Sequence, residues 1–172
     1  RMETGLNGTI EHRDANDQLI GHFDVTNTND IRSFTPEGFY LLSNDKDSDK
    51  MFIRQLNWAG EEVVGIDISD LGIGLRSSMQ ILADGGFLFN NSSEVRLLDT
   101  TGAVRLHYQV PYSDGHIKRV LVGAENTLYI TTVDKDTVQG GGTIKVDIDG
   151  GTGSLIMSFN YQDVTQIKHT QV

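Results

Sequence analysis

Residues 94–104, Glu94-Val95-Arg96-Leu97-Leu98-Asp99-Thr100-Thr101-Gly102-Ala103-Val104, alternate outward and inward side chains, pass through an Asp and a Gly, and resume as a second strand. The same pattern returns at Thr9–Ile20, at Phe52–Val63 and at Thr143–Gly151, each time as strand, Asp or Asn, tight turn, strand. The matched positions Ile10, Ile53, Val95 and Ile144 stand 43, 42 and 49 residues apart. Self-similarity at such a period is the mark of an architecture built by repeating one supersecondary unit.

A second hairpin precedes three of these copies. It occupies Ile31–Leu42 around Pro36-Glu37-Gly38, Met79–Phe89 around Ala83-Asp84-Gly85-Gly86, and Ile117–Ile130 around Ala124-Glu125-Asn126. Two hairpins in series make a four-stranded meander of roughly 43 residues. A twisted sheet of this kind has two apolar faces and buries neither alone, so the units must stack face to face. The expectation is an all-β chain, a β-propeller of about four blades. Three are whole, at about 31–68, 79–110 and 117–159, and a fourth is split between 1–25 and 163–172. In that split blade Thr165–Thr170 reads as a first strand joining the head of the chain, in the same molecule or in another copy. The chain is thus a small closed ring or part of a larger one, and an assembly of copies is the preferred closure. Strands are expected near 31–35, 39–43, 51–56, 62–68, 79–83, 87–90, 94–98, 104–110, 117–122, 127–132, 143–148 and 154–159. The stretch Asp67–Leu75, interrupted by Gly72 and Gly74, reads as a loop.

Leu82-Ala83-Asp84-Gly85-Gly86-Phe87-Leu88-Phe89-Asn90-Asn91-Ser92-Ser93-Glu94-Val95-Arg96-Leu97-Leu98-Asp99-Thr100-Thr101-Gly102 resembles a blade of the NHL, TolB and arylsulfotransferase-like propellers. The shared features are an Asp-Gly turn, a strand, a polar loop, a strand ending in Asp and a second glycine turn. The resemblance implies the fold and leaves activity open. The chain has one tryptophan and no Gly-His…Trp-Asp pair in each repeat, so it departs from the WD40 pattern, and it carries no repeated aspartate box of the sialidase kind.

Composition narrows the partners. Among 172 residues, 24 acidic side chains face 14 basic ones for a formal charge of −10, which repels phosphate and argues against nucleic acid and anionic membrane surfaces. Without cysteine there is no disulfide framework, thiolate metal site or cysteine nucleophile. No apolar run approaches the ~20 residues of a membrane-spanning helix.

In a meander, the loops between strands two and three leave at the same end as the connections from strand four to the next unit. Here those are the long ones: Asn44–Lys50, Asn90–Ser93 and Asp134–Gly141, with Ser69–Ser78 and Pro111–His116. Long loops on a rigid frame are where binding concentrates. The expected ligand-binding residues are therefore Asp45, Asp47, Arg76, Tyr112, Asp114 and His116. Asp45, Asp47 and Asp49 alternate as in the first half of a calcium loop. Lys50 stands where the invariant glycine belongs and Leu56 where the bidentate glutamate belongs, so the segment reads as an acidic turn. His116 lies beside Tyr112 and Asp114, where a carboxylate could orient it as a base, whereas His22 and His107 read as surface histidines on outer strands. No catalytic residue, metal site or cofactor is assigned. The expected function is a non-catalytic recognition module for a protein, peptide or glycan. The alternatives are part of a propeller enzyme of the arylsulfotransferase-like or lyase type, or a self-assembling structural unit.

Overall fold

A computed structural model describes residues 8–25, 29–45, 47–111, 115–134 and 140–160. These form fourteen strands: β1 (Gly8–Arg13), β2 (Leu19–Val25), β3 (Asn29–Thr35), β4 (Gly38–Asp45), β5 (Lys50–Asn57), β6 (Glu62–Asp67), β7 (Ser78–Ile81), β8 (Phe87–Asn90), β9 (Glu94–Leu98), β10 (Val104–Gln109), β11 (His116–Val122), β12 (Thr127–Val133), β13 (Gly140–Asp147) and β14 (Thr152–Asn160). Among the described residues the sole helical element is a 3-10 turn, Ser69–Leu71, closed by Gly72 in the left-handed conformation at φ 63°. The sheets follow chain order. There is a β1-β2 hairpin and three four-stranded sheets, β3-β4-β5-β6, β7-β8-β9-β10 and β11-β12-β13-β14.

Each expected strand falls on an observed one. The stretch Asp67–Leu75, read as a loop that overlaps the expected strand 62–68, holds the last residue of β6 and the 3-10 turn. One local reading is corrected. The glycine run Gly140-Gly141-Gly142, expected partly in a loop, lies inside β13 and pairs with Asn160, Phe159 and Ser158. Glycine there answers to crowding, because a Cβ on Gly142 would stand 2.7 Å from both Leu155 Cδ1 and the Met157 carbonyl oxygen. The expected terminal strand Thr165–Thr170 and its pairing with the head lie outside the described residues.

Three of the four copies are built from one turn, whereas in the fourth Asp147 Oδ1 accepts from the Asp149 amide at 3.2 Å and positive φ falls one residue later, on Gly151 at 61°. Asp14 Oδ1 accepts from the amides of Asn16 (2.8 Å) and Gln18 (2.9 Å). Asn57 Oδ1 accepts from Ala59 (3.0 Å) and Glu61 (2.9 Å), and Asp99 Oδ1 from Thr101 (2.8 Å) and Ala103 (3.0 Å). In all three the fourth residue adopts positive φ: Asp17 at 63°, Gly60 at 81° and Gly102 at 88°. A short side-chain acceptor that closes the turn and a residue tolerant of left-handed backbone are the two requirements, and they explain the Asx…Gly spelling. The bulge that follows is repeated too. Ile20, Val63 and Arg105 are each the extra residue where β2, β6 and β10 pair with β1, β5 and β9, six positions after the turn's Asp or Asn. A bulge strengthens the twist of the strand that carries it.

The chain divides into two compact units, 1–81 and 82–172. In the second, Leu88, Val95 and Leu97 share one cluster with Leu128, Ile130, Ile144 and Val146, all at most 1% exposed, so the sheet carrying β8–β10 and the sheet β11–β14 bury their faces against each other. In the first, Phe39, Leu41 and Leu56 of the β3–β6 sheet form a cluster closed by Phe23 of β2 together with Ile31 and Trp58. Gly38 is required there, since a Cβ would stand 1.9 Å from the Leu56 carbonyl oxygen. Trp58 occupies the β5–β6 turn, stacks on His12 at 3.8 Å and donates from Nε1 to the Pro36 carbonyl at 2.9 Å, so it joins the hairpin to the sheet. The aligned positions Ile53, Val95 and Ile144 are all buried, at 0%, 0% and 1% exposure.

Candidate functional site

In each unit the two kinds of long loop share an end, tied by backbone. Ile68 donates to the Met51 carbonyl at 2.8 Å, and Val110 donates to Ser93 at 2.9 Å and Ile117 to Ser92 at 2.8 Å. In the first unit polar side chains add to the tie. Lys50 Nζ stands 2.7 Å from Asp67 Oδ2, the Met51 amide donates to Ser69 Oγ at 3.1 Å, and Ser69 donates to Asp67 from its amide and its hydroxyl. The Lys50 ammonium, then the two Ser69 donors, hold the Asp67 carboxyl far below the usual range. Arg32 donates to the Leu75 carbonyl and pairs with Asp30 at 2.9 Å.

Asp45 ends β4 and governs the loop after it. Its Oδ1 accepts from the Asp47 amide at 3.0 Å and its Oδ2 from the Ser48 hydroxyl at 2.7 Å, while Asp49 takes the left-handed position at φ 53°. The Ser48 hydroxyl and then the Asp47 amide lower its pKa. The Asp45 oxygens are thus engaged in closing the turn, and the exposed Asp47 side chain is carried outward.

Beside this turn opens a pocket of ≈ 690 Å³ whose lining includes Asp45, Asp47, Arg54, Glu62, Leu41 and Phe23. It follows from register: Leu41 pairs with Arg54 and Phe39 with Leu56, so Leu41, Ser43, Arg54 and Leu56 stand on one face of the β4–β5 ladder. Phe23 of β2 stands at the end of that face beside Gly60, where a Cβ would lie 3.2 Å from its ring. Arg54 pairs with Glu62 at 2.8 Å across β5 and β6 and lies 4.9 Å above the Phe52 ring. Asp45, on which the Arg54 charge also acts, and the exposed Asp47 line the pocket at the loop, while Phe23, Leu56 and the Arg54–Glu62 pair, with Glu62 opposite Leu56, line it farther along the strands.

Two of the six expected site residues, Asp45 and Asp47, are brought together here. Arg76 is exposed in the β6–β7 connection, outside this lining. His116 opens β11, paired with Val133 and half-buried. Tyr112 and Asp114 lie outside the described residues. Phe23, Arg54 and Glu62 were not legible as site residues, since only the stacking of a hairpin on a sheet places them around one space.

A second polar cluster lies in the other unit. Glu94 Oε1 accepts from Asn91 Nδ2 at 2.9 Å, and Oε2 lies 2.8 Å from His107 Nε2 and 3.2 Å from Arg96. Burial raises the Glu94 pKa, but the His107 and Arg96 partners outweigh it, and the net direction is down. His107 is exposed as expected for an outer strand, and its ring is held by a carboxylate.

No protein-family model matches the chain, and no curated protein matches it.

Proposed function

We propose that the chain is a non-catalytic recognition module of β-propeller architecture, each four-stranded sheet being a blade, and that it takes an extended, basic peptide segment into the pocket beside Asp45 and Asp47. The observation that supports this is the mixed lining of that ≈ 690 Å³ pocket, with Asp45 and the exposed Asp47 at the loop and Phe23, Leu41 and Leu56 beside the Arg54–Glu62 pair farther along the strands. A lysine or arginine side chain meets the exposed Asp47 carboxylate, and a neighbouring apolar side chain meets Phe23.

Fluorescence anisotropy with a peptide library tests the reading. Basic-apolar peptides should bind, more weakly as salt rises, and Asp47→Asn should weaken them by several fold while leaving the melting temperature unchanged. Equal binding of acidic and basic peptides, or no effect of Asp47→Asn, would refute it. The enzyme reading keeps one observation in its favour, the imidazole of His107 oriented by Glu94 at 2.8 Å. It requires His107→Ala to abolish a turnover that the recognition reading does not contain.

A further inference from the structure

Each sheet ends, in chain order, on an edge strand: β2, β6, β10 or β14. Three of them carry charge there: β2 has Asp24, β6 has Glu62 and Asp67, and β10 has Arg105. Charged side chains on an outer strand are the ordinary protection against pairing with another chain, because an edge presents unpaired N–H and C=O groups. β14 is different. Its nine residues, Thr152-Gly153-Ser154-Leu155-Ile156-Met157-Ser158-Phe159-Asn160, include no charged side chain. Leu155, Ile156 and Met157 stand 54%, 51% and 58% exposed in succession. Among the described residues, β13 is the one strand that pairs with it.

From these features we infer that β14 is a self-association strand that pairs antiparallel with β14 of a second copy of this chain, about a two-fold axis at Ile156. The sequence Ser154-Leu155-Ile156-Met157-Ser158 is symmetric in character about its centre. Antiparallel pairing sets Leu155 against Met157 of the partner copy, Ser154 against Ser158, and Ile156 against itself. An isologous contact requires just such a self-complementary patch. Charge selects the occupant further. Each copy carries a formal charge of −10, so two copies approach with least repulsion along a strip that carries none. Ile156 is the bulged residue of β14, since Leu155 pairs with Ile144 and Met157 with Thr143. The bulge divides the edge into two regular halves, 152–155 and 157–160, which supply the ladder groups on either side of the axis. A strand of this length spans about 30 Å, and one strand pair offers less than the ~800 Å² per partner of a tight interface. The dimer is therefore concentration-dependent.

Sedimentation velocity on the whole chain tests this. The intact protein should pass from monomer to dimer as concentration rises. Ile156→Lys should weaken the association by more than about tenfold with unchanged far-ultraviolet circular dichroism, and Val63→Lys, at the bulge of β6 and 60% exposed, should leave it intact. If Ile156→Lys fails to fold, amide hydrogen exchange of the unaltered chain decides: residues 152–160 should exchange more slowly in concentrated than in dilute protein. A protein that stays monomeric, association that grows beyond the dimer, dimerisation insensitive to Ile156→Lys, or exchange at 152–160 independent of concentration would each overturn the inference.

Discussion

Asn57 and Asp99, forty-two positions apart, perform the same act: each lays one side-chain oxygen across two backbone amides, 3.0 and 2.9 Å away for Asn57, 2.8 and 3.0 Å for Asp99. Each is followed three residues later by a glycine at positive φ and six residues later by a bulge on the outer strand. The turn sets the register of the outer hairpin, and the register decides which side chains reach the core. Replacing Asn57 by Ala should cost ~1 kcal/mol, the net worth of the lost acceptor, while Asn57→Asp restores the spelling at the other two turns and should cost less. Gly60→Val should be worse than Gly60→Asn, because the equivalent left-handed position is filled by Asp17 at φ 63° in the first turn. Urea melts of the four variants check the order.

Burial separates the aligned repeat positions from the bulges. Ile53→Ala and Ile144→Ala should each lose ~2–4 kcal/mol, with Val95→Ala at the lower end, since all three are at most 1% exposed and leave cavities. Val63→Ala, at a bulge and 60% exposed, should stay within ~0.5 kcal/mol. Chemical denaturation reads both classes in one experiment.

Strands were legible because apolar side chains alternate, and the turns because Asp, Asn and Gly have specific backbone duties. Gly140–Gly142 misled because glycine in isolation signals a loop, whereas here it makes room for Leu155. The pocket was half legible. Asp45 and Asp47 stand out in a loop, but Phe23, Arg54 and Glu62 lie on three strands whose meeting depends on how hairpin and sheet stack. Glu94 and His107 were missed as a pair for a related reason. They are thirteen positions apart, and the antiparallel register that sets His107 opposite Arg96 also brings it to Glu94.

Acid should weaken the second unit through Glu94. Its carboxyl is held below its ordinary value in the folded chain by His107 and Arg96 against the opposing effect of burial. A depressed folded-state pKa gives stability that is complete above the unfolded value of ~4.3 and lost as pH falls through the lower folded value. Glu94→Gln should remove this part of the acid dependence, so that stability measured by denaturant between mildly and strongly acid pH falls less steeply than in the parent. Equal slopes would show that the carboxylate makes no net contribution.

Calcium should leave the melting temperature unchanged. The Asp45 oxygens already accept from the Asp47 amide and the Ser48 hydroxyl, and Lys50 is paired with Asp67. Differential scanning calorimetry with and without calcium checks this. A rise that Asp47→Ala abolishes would show that the turn reorganises around the ion.

The most direct measurement of the recognition role is a titration of the isotopically labelled chain with a basic-apolar peptide, followed by amide chemical shifts. Recognition at the pocket moves the amides of residues 43–45, 47, 54–56 and 60–62 together, and Asp47→Asn reduces the response at every one of them. Shifts confined to the Glu94 and His107 region, or no saturable shift in the presence of any basic peptide, would contradict it.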